Sequence, residues 1–340
     1  MDLGLLMVDW LGKPAWAWLG FLGIVAGLLV LDLGVLHRNN REIGARESLA
    51  MSGGYVGLGL LFGAGVWWWF GPASGMAYMT GFAIEKALAM DNVFVIAMVF
   101  AYLGVPRRLQ HRVLFWGILG VIVLRALMIG LGAALVTQFS WVLYLFAAFL
   151  VATGAKMLMA PSAAPDPGRN PVLRFMERRF NVTRDLHGER FLVRLPHPET
   201  GRRTWFLTPL FVALALVEVA DVIFAVDSVP AIFAITTDPF VVYTSNIFAI
   251  LGLRALYFAL AAMVHRFHYL KHALAAVLIF IGSKVFVADL LGVDKLPPAL
   301  SLGVTFGILA AGLAWSLWKT REGVPVQAGA QAGHPTQTNQ

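Results

Sequence analysis

The chain has 340 residues, 59% of them apolar and 13% charged, with a mean hydropathy of +0.74, a composition that excludes an ordinary soluble domain and describes a polytopic membrane protein. Cysteine is absent, which excludes disulfide frameworks and thiolate metal sites. The net charge of +7 is spread over short loops between apolar runs, so it argues for control of membrane topology and against a nucleic-acid partner.

Apolar runs of about 20 residues predict an all-α fold of about nine membrane-spanning helices, at roughly 15 to 36, 48 to 70, 78 to 103, 113 to 136, 141 to 159, 207 to 235, 239 to 264, 272 to 291 and 298 to 318. The start, MDLGLLMVDWLGKPAW, lacks the basic region and small-residue cleavage site of a removable signal, so the first helix is expected to be its own insertion signal. Its one acid, Asp32, stands alone. The second helix contains GGYVGLGLLFGAG, with Gly53 and Gly57, then Gly59 and Gly63, at the four-residue spacing of a packing face.

The third helix opens on EKALAMDNVFV, which puts Glu85, Lys86, Asp91 and Asn92 inside the span. A charge at the centre of a bilayer helix costs roughly 2.5 to 3.5 kcal/mol. Arg125 and Lys156 lie in the fourth and fifth helices. Residues 160 to 206 then form a polar insert with nine arginines, read as a short helix from Pro171 to Phe180 and a hairpin around PHPETG. The sixth helix carries EVADVIFAVDSVPAIFAIT from Glu218, and the seventh and eighth contain Arg254 and Lys284. The tail from 321 to 340, rich in Gln, Gly, Ala and Thr, is expected to be disordered.

Basic residues crowd one set of loops, whereas the alternate set holds only Lys13 and Lys295. The positive-inside rule then places the N-terminus outside and the C-terminus in the cytoplasm, with the chain integral to the cytoplasmic membrane. The arginines of the insert serve that rule and suit contact with anionic membrane lipids.

An internal repeat crosses this map. LRALMIGLGAALV from Leu124 matches LRALYFALAAMVH from Leu253, and YLFAAFLVATGAKML from Tyr144 matches HALAAVLIFIGSKVF from His272. Helices three to five therefore correspond to helices six to eight. A unit of three spans inverts its successor, so the expected organisation is two leading helices (1–77), a three-helix repeat (78–159), the insert (160–206), an inverted three-helix repeat (207–291), a last helix (292–320) and the tail. Substrate sites in such inverted-topology proteins lie near the midplane between the repeats.

The repeat pairs the two acidic motifs. Glu85 and Asp91 are six residues apart, as are Asp221 and Asp227, and each second aspartate precedes a short polar residue, Asn92 or Ser228. At 100° per residue, Glu85 and Asn92 share a face, as do Asp221 and Ser228, with Glu218 close by. Asp91 and Asp227 lie about 120° from the preceding acid in an ideal helix. They need an unwound backbone or another neighbour to join one site, and Pro230 suggests a break in the second copy. The acids outnumber the nearby cations, which a bound divalent ion or protonation would relieve. Oxygen ligands without His or Cys suit Mn²⁺, Ca²⁺ or Mg²⁺. Lys86, Arg125 and Arg254 read as counter-ions or gates, and the alternative use of the acids is structural pairing with those cations. No GxSxG, HExxH or phosphate loop occurs, so an enzyme is not expected.

LDLGVLHR, EKALAMDNVFV, VPRRLQHRVLFWGILGVIVLRA, VEVADVIFAVDSVPAIFAIT and NIFAILGLRALYF together resemble the TerC family of integral membrane proteins, in its Alx-type branch, over nearly the whole chain. The resemblance implies kinship with the cation and lysine exporter superfamily, export of Mn²⁺ as substrate with no permanent cofactor, and a link to tellurite resistance. By motif position it implies metal binding by Asp91, Asn92, Glu218, Asp221, Asp227 and Ser228, with Glu85 nearby. The alternative function is a non-transporting membrane scaffold or a component of a tellurite or stress-resistance complex, with unknown protein partners.

Overall fold

The computed structural model describes residues 7–31, 45–159, 168, 170–197, 201–260, 270–293 and 296–322. It is an all-α bundle with two small β-hairpins. Strands β1 (Asp9–Trp10) and β2 (Lys13–Pro14) turn tightly through Leu11 and Gly12, both at positive φ, and lead into helix α1 (Ala15–Leu31). Asp32 and the rest of the first expected span lie outside the described residues.

Helix α2 covers Ala45–Tyr102, and a straight helix of 58 residues would be about 87 Å long. Gly71, at φ 88° and ψ 169° and followed by Pro72, folds it into a hairpin. A Cβ on Gly59 would strike Phe82, one on Gly63 would strike Tyr78, and one on Gly75 would strike Trp67, so the arms run antiparallel in close contact. The Tyr78 hydroxyl donates to the Gly59 carbonyl across the seam at 3.0 Å. The packing face expected at Gly59 and Gly63 is therefore present, whereas a Cβ on Gly53 or Gly57 would meet nothing within 4 Å among the described residues, and these do not show the expected face there.

Helices α3 (Arg107–Gln138) and α4 (Val142–Met159) follow. The insert forms α5 (Pro171–Arg179), capped by the Asn170 side chain, and a hairpin of β3 (Leu192–Pro196) with β4 (Arg203–Leu207), close to the sequence expectation. Arg112 of α3 pairs with Glu189 of the insert at 2.6 Å. Helix α6 (Pro209–Phe233) starts where β4 ends.

The break expected at Pro230 is absent: α6 continues three residues beyond it, because a proline in the last turn removes one backbone bond and leaves the earlier turns intact. The interruption lies instead at Gly252, between α7 (Pro239–Leu251) and α8 (Leu253–Leu260). Helices α9 (Leu270–Leu290) and α10 (Pro298–Glu322) complete the bundle, and the tail beyond Glu322 lies outside the described residues.

By length and apolarity, six helical segments among the described residues can cross a membrane: Arg107–Gln138, Val142–Met159, Pro209–Phe233, Pro239–Ala259, Lys271–Leu290 and Pro298–Ser316. Ala15–Leu31 is a shorter apolar helix. Residues 240–257 of the segment Pro239–Ala259 are all buried, so its polar residues face protein rather than lipid. Helices α4 and α9 pack antiparallel through reciprocal glycine contacts, with Gly154 against Ala275 and Ile279 and Gly282 against Ala147 and Val151. Each contact is the image of the other under the sequence match between these helices.

Candidate functional site

Arg125 of α3 is fully buried at the centre of the bundle. Its Nη1 lies 2.5 Å from Glu85 Oε1 on the second arm of α2. Its Nε and Nη2 donate to the two carboxylate oxygens of Asp221 on α6, at 3.3 and 3.1 Å. Nη1 also donates to Asn246 Oδ1 on α7 at 2.6 Å and to Ser228 Oγ on α6 at 3.3 Å. One guanidinium thus joins two carboxylates from the two acidic motifs, and charge-assisted bonds of this kind hold such a pair out of water.

The helical periodicity produces this convergence. Glu85 and Asn92 are two turns apart on one face of α2, as Asp221 and Ser228 are on α6. Asn92 Nδ2 donates to Asp221 Oδ1 at 3.5 Å, and the Ser228 hydroxyl lies against the Glu85 carboxylate. These two contacts also exchange under the motif match.

Buried acceptor atoms remain. Among the described residues, Glu85 Oε2, Asn92 Oδ1 and Glu218 Oε2 have no hydrogen-bond partner. The Glu218 carboxylate occupies the space where a side chain at Gly120 of α3 would begin, so Gly120 is what lets that acid sit against the α3 backbone. A cavity of about 20 Å³ lies beside Asn92 and Asp221, with Gly117 and Arg254 also in its wall. It has room for about one water-sized particle.

Other expected residues are placed differently. Asp227 turns away to α4, where it meets the Thr153 hydroxyl and the exposed Lys156. The structure does not bring it to Asp221, because α6 stays regular and the 120° offset of the ideal helix persists. The backbone of Asp91 is helical, and its side chain lies outside the described residues. Lys86 donates to the Ala249 carbonyl at 3.0 Å, in the last turn of α7, so its charge meets a helix C-terminus beside the Gly252 interruption. Among the described residues no three acidic or imidazole side chains converge as a metal-ion centre.

Asn246 escaped the sequence reading, although Thr244, Ser245 and Asn246 make a polar run inside an apolar span and all three are fully buried. A larger cavity, about 460 Å³, lies at the opposite end of the bundle from the insert, between α4, α9 and α10, with Thr80, Tyr144, Lys284 and Ser301 in its wall.

A bundle of apolar helices closed around buried carboxylates, amides and guanidinium groups defines an integral membrane protein with an ionisable core. The chain belongs to the integral membrane protein TerC family, whose family model matches residues 70–323. It is 46% identical over 310 residues to the uncharacterized membrane protein STKORF319 of Myxococcus xanthus, covering 91% of this chain and 94% of that one. It is also 46% identical over 310 residues to Alx of Escherichia coli K12, provisionally named a membrane-bound redox modulator, covering 88% of this chain and 94% of Alx. An uncharacterized membrane protein of Rickettsia bellii is 44% identical over 297 residues, covering 87% and 95%. No solved structure matches the chain.

Proposed function

We propose that this protein exports a divalent cation, with Mn²⁺ as the cargo, from the cytoplasm across the cytoplasmic membrane. The observation that carries the reading is that Glu85 and Asp221, from the two acidic motifs, share the Arg125 guanidinium, while Glu85 Oε2, Asn92 Oδ1 and Glu218 Oε2 find no partner among the described residues and Asn92 and Asp221 line a cavity. All are oxygen donors, which favours a hard cation such as Mn²⁺, Ca²⁺ or Mg²⁺. A cation arriving at Asp221 and Glu218 competes with the guanidinium, so Arg125 acts as counter-ion and gate while Asn246 and Ser228 hold it.

In this reading the chain spans the membrane nine times, with the N-terminus outside and the C-terminus in the cytoplasm. The site then lies between two inverted three-helix repeats that alternate access to the two faces. The matching contacts of Gly154 with Ala275 and of Gly282 with Ala147, and of Glu85 with Ser228 and Asp221 with Asn92, support such a relation. Moving two charges outward against about 100 mV costs about 4.6 kcal/mol, so export needs a driving force, and proton exchange at the acids supplies one. The redox name of the Alx relative does not extend here to thiol chemistry, since this chain has no cysteine.

The test is uptake of radioactive Mn²⁺ into everted membrane vesicles under an imposed proton gradient, with Ca²⁺, Mg²⁺ or Zn²⁺ as competitors. Uptake by the parent protein that is lost in Asp221→Asn and Glu218→Gln, with both variants inserted, supports export. Equal accumulation in parent, variant and empty vesicles rejects it and favours the scaffold reading.

A further inference from the structure

We propose that Arg125 and Arg254 are alternate partners of the buried acids, and that exchanging them moves the cavity from the insert end of the bundle to the opposite end. The inference rests on the repeat relation of the proposed function and is independent of which cation is carried.

Arg125 now fills the space between Glu85, Asp221, Ser228 and Asn246. Its repeat counterpart Arg254, 3% exposed, borders the small cavity together with Asn92 and Asp221. The surroundings obey the exchange: Glu85 meets Ser228 as Asp221 meets Asn92, and Gly154 meets α9 as Gly282 meets α4. Among the residues that hold Arg125, one breaks it. Asn246 fixes Arg125 Nη1 at 2.6 Å, and its counterpart by the match of LRAL with LRAL is Gly117, which offers no side chain and borders the cavity.

The present arrangement therefore has a side-chain acceptor for Arg125 on α7 and empty space where α3 would hold Arg254. In the exchanged arrangement Arg254 lies between Asp221 and Glu85. Arg125 withdraws, and the space opens beside Ser228, Asn246 and Ile232, which are now 1%, 0% and 0% exposed. Ile232 is the counterpart of Ile96, a wall residue of the present cavity.

The chain has no cysteine, so one introduced thiol is its sole thiol. We would measure maleimide labelling rates of Ile96→Cys and of Ile232→Cys in the full chain in lipid nanodiscs, where reagent reaches both faces, with no Mn²⁺ added. Ile96→Cys should react about tenfold faster, the bias that one hydrogen bond to a charged group gives a two-state equilibrium. Moving the acceptor, with Asn246→Gly and Gly117→Asn together, should reverse the order. A Cβ at Gly117 meets its nearest atoms at 3.7 to 3.9 Å, so the site accepts a side chain.

An unchanged order in the double variant, with its unfolding transition retained, overturns the proposal. Should that variant fail to fold, Asn246→Ala must raise the Ile232→Cys rate and Arg254→Gln must lower it; equal rates in both overturn it as well. Failed Mn²⁺ uptake in vesicles with a reversing labelling order rejects the cargo and keeps the exchange, whereas uptake without reversal does the opposite.

Discussion

Gly154 of α4 and Gly282 of α9 each press against the backbone of the other helix: a Cβ on Gly154 would lie 2.7 Å from the Ala275 carbonyl oxygen, and one on Gly282 would lie 2.5 Å from that of Ala147. Carbonyl oxygens cannot move aside as a side chain can. Gly282→Ala is expected to cost about 1 to 3 kcal/mol through forced separation of the helices. Gly303→Ala, inside α10 with nothing within 4 Å among the described residues, should leave stability unchanged or raise it by up to about 1 kcal/mol. Thermal unfolding of the two variants in one detergent checks the contrast.

Removing the central guanidinium strands two carboxylates in the bundle. Arg125→Leu should cost about 3 to 5 kcal/mol, the penalty for breaking a buried pair from one side. Adding Glu85→Gln and Asp221→Asn to that variant should recover most of the loss, because no uncompensated charge is then left. The unfolding midpoints of the single and triple variants decide it, and a triple variant no more stable than the single one contradicts the account.

Gly120 is predicted to matter through Glu218. A methyl group at Gly120 would land on that carboxylate, whereas Gly117→Ala meets only ordinary contacts. Gly120→Ala should therefore weaken half-maximal Mn²⁺ uptake by about tenfold, or about 1.4 kcal/mol, with Gly117→Ala close to the parent. Concentration series in everted vesicles, normalised to inserted protein, provide the readout.

Lys86 supports the interrupted helix. Lys86→Met should cost about 1.5 to 3 kcal/mol by removing a charged donor from the Ala249 carbonyl. Lys86→Arg should not restore it, since Nζ already lies 3.0 Å from where a Cβ on Gly252 would sit and Tyr55 crowds the same point. Hydrogen exchange across α7 and α8, compared between variants, would show whether loosening centres on Gly252.

Much of the bundle is written locally. Apolar runs mark α3, α4, α6, α9 and α10, a proline and flanking arginines mark α5, and PHPETG marks the turn between β3 and β4. The seven-residue spacings Glu85–Asn92 and Asp221–Ser228 place each pair on one face, because 3.6 residues per turn is a property of the chain itself. The same arithmetic set Asp227 apart, and it meets α4 rather than Asp221.

Partnership was beyond that arithmetic. Sequence separated Arg125, Arg254 and Lys86 from the apolar background but had no means of choosing among them, since Arg125 meets Asp221 across 96 positions and Lys86 meets Ala249 across 163. The tertiary structure decided that Arg125 takes both acids, that Asn246 holds it there, and that the interruption falls at Gly252 instead of Pro230. Periodicity and apolarity act within a few turns of one helix. The choice of a partner is set by distances of about an ångström between helices that meet only when the chain is folded.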